Sequence, residues 1–376
     1  MSNAPAFDII RLRELYSPDR ARIDLAKRRQ AAVWRGDRPD AWPALISAPL
    51  TDTQKTIPDP NFKEAFDNID LMVCSQVRLA CMAANSGSDA VPSVRGNYGT
   101  GMTLSLVGLE QEVFPDKMPW LKSHLTKEQA SRLTPDDIKL RGTFERGLNY
   151  MRRHREVMGD NPALYCMDMQ GPMDLAHLML GDDFFYLLYD DPPFIHHVLS
   201  VCLEMEIRAL KWMKDISGEP MGVGCHTNDL YAENAGTRIC EDTTCLLGPE
   251  LIREFAVPYS RRLAQHTGGA WVHYCGRNDE LTRAMLEIPE VRGMNFGHVP
   301  GHEHDHPFEQ DMALCREHGK VYYGWWPRRD GESGMGYLRR MHEWASTGCL
   351  IPQIGPCLGN NGFKDHREAL DAWYAM

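Results

Sequence analysis

The 376-residue chain predicts an α/β fold, a (β/α)8 TIM barrel preceded by an N-terminal helical arm. Three observations carry this prediction. Short apolar, strand-like runs alternate with helix-like stretches almost to the last residue. Those runs number eight, the count at which parallel strands close into a barrel. No composition break, internal repeat or low-complexity stretch divides the chain, so the arm is expected over 1–40 and a single barrel domain over 41–376.

The elements follow in order. The arm, roughly 8–34, is basic and helical, with Leu12, Leu15, Ile23 and Leu25 among many arginines. The first strand lies in Trp42-Pro-Ala-Leu-Ile-Ser-Ala-Pro49, an apolar run bounded by prolines. A helix over about 68–85 leads to the second strand, at 90–94. Residues 97–119 are Gly-rich and read as a long excursion. Thr134-Pro-Asp-Asp137 is a helix start, and that helix is expected to reach residue 158. The third strand is 163–167, followed by helices after Gly171-Pro172, at 182–189 and at 193–216. The fourth strand is expected at 221–224, with a loop beyond it and a helix from Gly248-Pro249 to residue 266. Strands at 270–274, 291–296, 320–325 and 349–354 complete the count, with helices between them and a closing helix over 365–374.

Composition bounds the function. A hydrophobic content of 43% with 25% charged residues describes an ordinary globular chain. Nothing approaches eighteen consecutive apolar residues, so no membrane span is expected. A net charge of −11 argues against nucleic acid as a partner. The eleven cysteines are odd in number and scattered, which suits reduced thiols better than a disulfide framework. With no basic-then-apolar start of the secretory kind, this points to a cytoplasmic protein.

The chemistry concentrates at His273-Tyr-Cys-Gly276. Residues i and i+2 of a strand share a face, so His273 and Cys275 point the same way at a strand end. Cys357 lies in a second apolar run that breaks into Gly and Asn. One nitrogen and two sulfurs suit zinc, and leave a fourth position open as in a catalytic site. The bland alternative is a core histidine beside a small hydrophobic thiol. Barrel chemistry takes place at strand C-termini. Asp168 and Gln170, Cys225 and His226, and Asn295 and His298 all end or follow expected strands, so polar groups converge on one mouth. His226, Asn228, Asp168, Asp242, Asn295, His298 and Trp325 are the expected substrate contacts. Asp242 could instead orient a zinc ligand, and the aromatic run around Trp325 could be plain core packing. The alternating His302, His304 and His306 form a rival metal site or a solvated loop over the mouth.

Gly171-Pro-Met-Asp-Leu-Ala176, Leu187-Leu-Tyr-Asp-Asp-Pro192, Leu247-Gly-Pro-Glu-Leu-Ile252, Phe255-Ala-Val-Pro-Tyr259 and the His-Tyr-Cys-Gly motif resemble the uroporphyrinogen decarboxylase superfamily. The resemblance covers most of the chain after about residue 65 and implies an eight-stranded barrel. True decarboxylases of this superfamily carry an Arg-Gln-Ala-Gly-Arg motif after the first strand, where this chain has Leu50-Thr-Asp-Thr-Gln-Lys55. The chain looks closer to the zinc-containing, cobalamin-dependent methyltransferases, whose His-x-Cys-Gly and late cysteine match His273, Cys275 and Cys357. The surroundings of Cys357, Pro356-Cys357-Leu358-Gly359, depart from that branch's usual Gly-Cys followed by an acidic residue and proline.

The resemblance implies zinc as cofactor, with His273, Cys275 and Cys357 as its ligands. It also implies a corrinoid (cobalamin) and a small-molecule methyl donor or acceptor, a thiol, methyl ether or similar compound. No corrinoid-binding Asp-x-His-x-x-Gly is present, so a separate corrinoid protein is the expected partner. A homodimer is compatible with the sequence. The competing expectations are a decarboxylase of a tetrapyrrole-like or other carboxylate, and a non-catalytic corrinoid- or tetrapyrrole-binding barrel.

Overall fold

The computed structural model describes residues 7–298 and 306–376. It is an α/β structure organised on a five-stranded parallel sheet. Its strands are β1 (Ser93–Val94), β2 (Gln111–Glu112), β3 (Trp120–Leu121), β4 (Ala163–Leu164), β5 (Val223–His226), β6 (Leu230–Glu233), β7 (Thr237–Cys240), β8 (Ala270–Cys275), β9 (Val291–Gly297), β10 (Val321–Gly324) and β11 (Leu350–Pro352). The sheet runs β7-β8-β9-β10-β11, all neighbours parallel. Leu45 extends it past β11 through a parallel bridge to Gln353. β1 and β4 form a separate parallel pair. Among the described residues no helix is long and apolar enough to cross a membrane.

Helices alternate with these strands because the intervening segments carry caps and apolar faces. Asn278 accepts from the backbone N–H groups of Glu280 and Leu281 to open the helix Asp279–Leu286. The sheet buries both faces, which suits parallel strands. On one face Ile239, Val272, Met294, Tyr322 and Leu350 join the large core under the helices. On the other, Trp271, Val321, Tyr323 and Ile351 pack with Leu45, Leu230, Ala232 and Trp34. Trp34 comes from the helix Arg20–Arg35, and Gly293 admits it. A Cβ on Gly293 would meet the Trp34 ring at 2.9 Å and also the Val321 carbonyl.

Two expectations are corrected. The segment at 221–224 does not supply a parallel strand. β5 instead pairs antiparallel with β6, and the strand that joins the sheet is β7. Thr237-Arg-Ile-Cys240 is short and carries an arginine, so its apolar signal is weak, yet Arg238 is held by Asp168 and the Met169 carbonyl. The helix expected over 134–158 begins only at Gly142, after a 3-10 turn at Pro135–Asp137, because Gly142 sits at φ 63.

Candidate metal centre

β7, β8 and β9 are in register at Cys240, His273 and Asn295, so three polar side chains stand abreast on one face of the sheet. Two residues beyond Cys240 the chain reaches Asp242, whose Oδ1 accepts from the Cys275 backbone N–H at 2.6 Å. The donor atoms of Cys240, Asp242 and His273 lie within 4.8 Å of one another, the one such group among the described residues. Cys275 adds a sulfur 3.7 Å from His273 Nε2. Gly297 makes room for that sulfur: its absent Cβ would lie 3.3 Å from both the Cys275 Cβ and the His273 ring.

Burial sets the protonation states. It lowers the pKa of His273, with Arg238 adding to the effect, so the ring is held neutral. It pushes the Cys275 thiol up to about 12, with Asp242 adding to the shift, and pushes Cys240 well above its usual value. Asp174, behind the cluster, is raised to about 6 by burial and by Asp242. Its carboxylate accepts from the backbone N–H groups of Thr243 and Asp242 at 2.7 and 3.2 Å. Acids and thiols crowded in this way are relieved by a divalent cation, which favours thiolate and carboxylate together.

Beside the cluster lies a cavity of about 340 Å³ lined by His226, Arg238, His273, Tyr323, Trp325 and Gln353 among others. Its lining also includes Asn295, His298 and Thr227. Thr227 and Asn228 form the tip of the β5–β6 hairpin and adopt left-handed φ values of 48° and 68°, unusual for non-glycine residues. Thr227 Oγ1 donates to Asp229 Oδ1 at 2.9 Å, as does Tyr323 Oη at 2.6 Å, and Gln353 Nε2 donates to Asp229 Oδ2 at 2.8 Å.

Of the residues expected from sequence, the structure brings His273 and Cys275 together and adds Asp242 to them. His226, Asn295, His298 and Trp325 line the cavity. Asp168 is held by Arg95 and Arg238, which lower its pKa against the effect of burial. The Asn228 amide donates to the Ser93 carbonyl at 2.6 Å, tying the hairpin to β1. Cys357 is not among the grouped donors. It is fully buried in the core beneath the helices, where its carbonyl accepts from the Phe363 backbone N–H at 3.0 Å. Sequence reasoning missed Cys240 because it misplaced the fourth sheet strand. The alternation Arg238, Cys240, Asp242 was the available signal. His302 and His304 lie outside the described residues. His306 is described: its Nε2 hydrogen-bonds to the Gly276 carbonyl at 2.7 Å and its ring stacks on Phe296.

Fold and site together define an α/β protein with a soft-metal donor cluster at the strand ends, beside a small cavity. The chain shares its fold with a methyltransferase from Methanosarcina mazei, at a TM-score of 0.62 and 16% identity, over 93% of this chain and 97% of that one. No protein-family model and no curated protein matches the sequence.

Proposed function

We infer that the protein is a zinc-dependent methyltransferase. It would move a methyl group between a corrinoid carried by a separate protein and a small thiol, methyl ether or similar compound. The observation that carries this reading is the convergence of Cys240, Asp242 and His273 donor atoms within 4.8 Å beside the cavity. A sulfur, an oxygen and a nitrogen are a donor set that zinc accepts, and Cys275 offers a further sulfur. The methyltransferase likeness of the fold and the sequence resemblance support the same reaction class. On this reading the sheet, Leu45, β1 and β4 are parts of one eight-stranded barrel, and the helices before residue 40 are its arm.

Zinc bound there would supply a Lewis acid able to hold a substrate sulfur as thiolate or to polarise an ether oxygen. The chain's own residues do the rest. His273, Cys240 and Asp242 would bind the ion, and Asp242 also fixes the backbone of Cys275. Trp325 and Tyr323 wall the substrate, while His226 and Thr227 lie at the hairpin end of its cavity. At about 340 Å³ the cavity suits a small molecule and not a whole corrin macrocycle, which would approach from outside on its carrier.

The test is zinc content with methyl transfer from methylcobalamin to a panel of thiols. Zinc is expected near one equivalent in the wild type and in Cys357→Ser, and strongly reduced in Cys240→Ser and His273→Ala. Zinc lost from Cys357→Ser but retained in Cys240→Ser would replace this donor set with the one read from the motif. A zinc-free wild type would end the reading.

A further inference from the structure

Asn295, expected from sequence to touch substrate, is engaged at both ends of its amide. Its Nδ2 donates to the Tyr323 backbone carbonyl, and its Oδ1 lies 2.7 Å from His273 Nδ1. The two ends are not interchangeable. A carbonyl only accepts, so the NH₂ group must face Tyr323 and the oxygen must face His273. That oxygen also only accepts, so Nδ1 of the neutral ring must carry the hydrogen. The unprotonated nitrogen is then Nε2, which faces Cys275 Sγ at 3.7 Å. β9 and β10 enforce the arrangement, because Asn295 projects from β9 and its backbone acceptor belongs to β10.

We propose that Asn295 is a positioning residue, anchored by Tyr323 O, that holds His273 in the Nδ1–H tautomer and presents the Nε2 lone pair to a metal. A metal-binding histidine needs its other nitrogen engaged in this way to fix ring orientation and raise ligand basicity. The zinc half of this inference rests on the function proposed above; the tautomer half does not.

The first test reads the wild-type ring directly. A long-range ¹H–¹⁵N spectrum of zinc-free protein, recorded where the ring is neutral and assigned with His273→Gln, should show His273 protonated at Nδ1. An Nε2-protonated ring overturns the proposal. The second test compares two variants. Asn295→Leu removes the acceptor and should give a mixed tautomer and zinc binding about 10–100-fold weaker. Asn295→Asp keeps an acceptor toward Nδ1 but loses the donor to the Tyr323 carbonyl, so it should restore the Nδ1–H tautomer while recovering only part of the affinity. Unchanged zinc binding in Asn295→Leu, or an Nε2-protonated His273 in Asn295→Asp, overturns the proposal. A wild type that takes up no zinc defeats the function proposed above, while the zinc-free spectrum still decides the tautomer.

Discussion

At the scale of single residues, two buried titratable groups pull stability in opposite directions over nearly the same pH range. Burial raises Asp229 from an ordinary 3.8 to about 6, against the hydrogen bonds from Tyr323, Gln353 and Thr227. The unfolded chain releases that proton first, so Asp229 costs stability as pH rises from about 4 to 6, on the order of 3 kcal/mol. Burial lowers His154 from 6.5 to about 4. Its contribution is complete above pH 6.5 and is lost as pH falls toward 4. The two slopes largely offset each other in the wild type. Asp229→Asn removes one of them, so chemical denaturation at a series of pH values should show stability rising more steeply between pH 4 and 6.5 than in the wild type. A variant profile parallel to the wild type would mean that Asp229 titrates normally in the fold.

At the scale of elements, Gly293 decides how closely the N-terminal helix approaches the sheet. Gly293→Ala forces a methyl against Trp34 and the Val321 carbonyl. It should cost about 1–3 kcal/mol, measured as a shift in denaturation midpoint. Trp34→Ala in the same background should not recover the loss, because the Val321 backbone remains in the way. The strands β8, β10 and β11 were legible in the sequence because each is a compact apolar run closed by a turn or helix cap, and β9 because Val291, Met294 and Phe296 outweigh Arg292, which faces solvent. β7 was not, because its arginine lies on a sheet face where Asp168 compensates the charge, and that compensation is visible only in three dimensions. The site was legible in proportion. His273 and Cys275 follow from the two-residue repeat of a readable strand, and Asp242 from the polar run Glu241-Asp-Thr-Thr244 ahead of the Gly248-Pro249 helix start. Cys240 required the register between β7 and β8, which no local pattern encodes. Cys357 has the residue type and context of a ligand, but it is fully buried in the large core and is not among the grouped donors.

At the scale of the whole molecule, the two ends of the chain are joined through one carboxylate. Asp89, with no exposed surface, pairs with Arg22 at 2.9 Å and Arg29 at 3.1 Å, and also accepts from the Tyr374 hydroxyl. Trp373 Nε1 donates to the Trp42 carbonyl at 2.9 Å alongside it. Asp89→Ala takes the one paired carboxylate from Arg22 and leaves Arg29 with Asp40 alone, and should cost about 3 kcal/mol. Because the helices Arg20–Arg35 and His366–Tyr374 share this anchor, the loss should appear in calorimetry as one transition at lower temperature. Two separated transitions would show that the ends unfold independently. The β5–β6 hairpin works the opposite way, since its tip belongs to the cavity but not to the parallel sheet. Lengthening or trimming the few residues between its strands would make the chamber shallower or deeper while every sheet hydrogen bond stays in place. Related chains could therefore exchange one small guest for another by editing a single turn, with the Cys240, Asp242 and His273 cluster inherited unchanged.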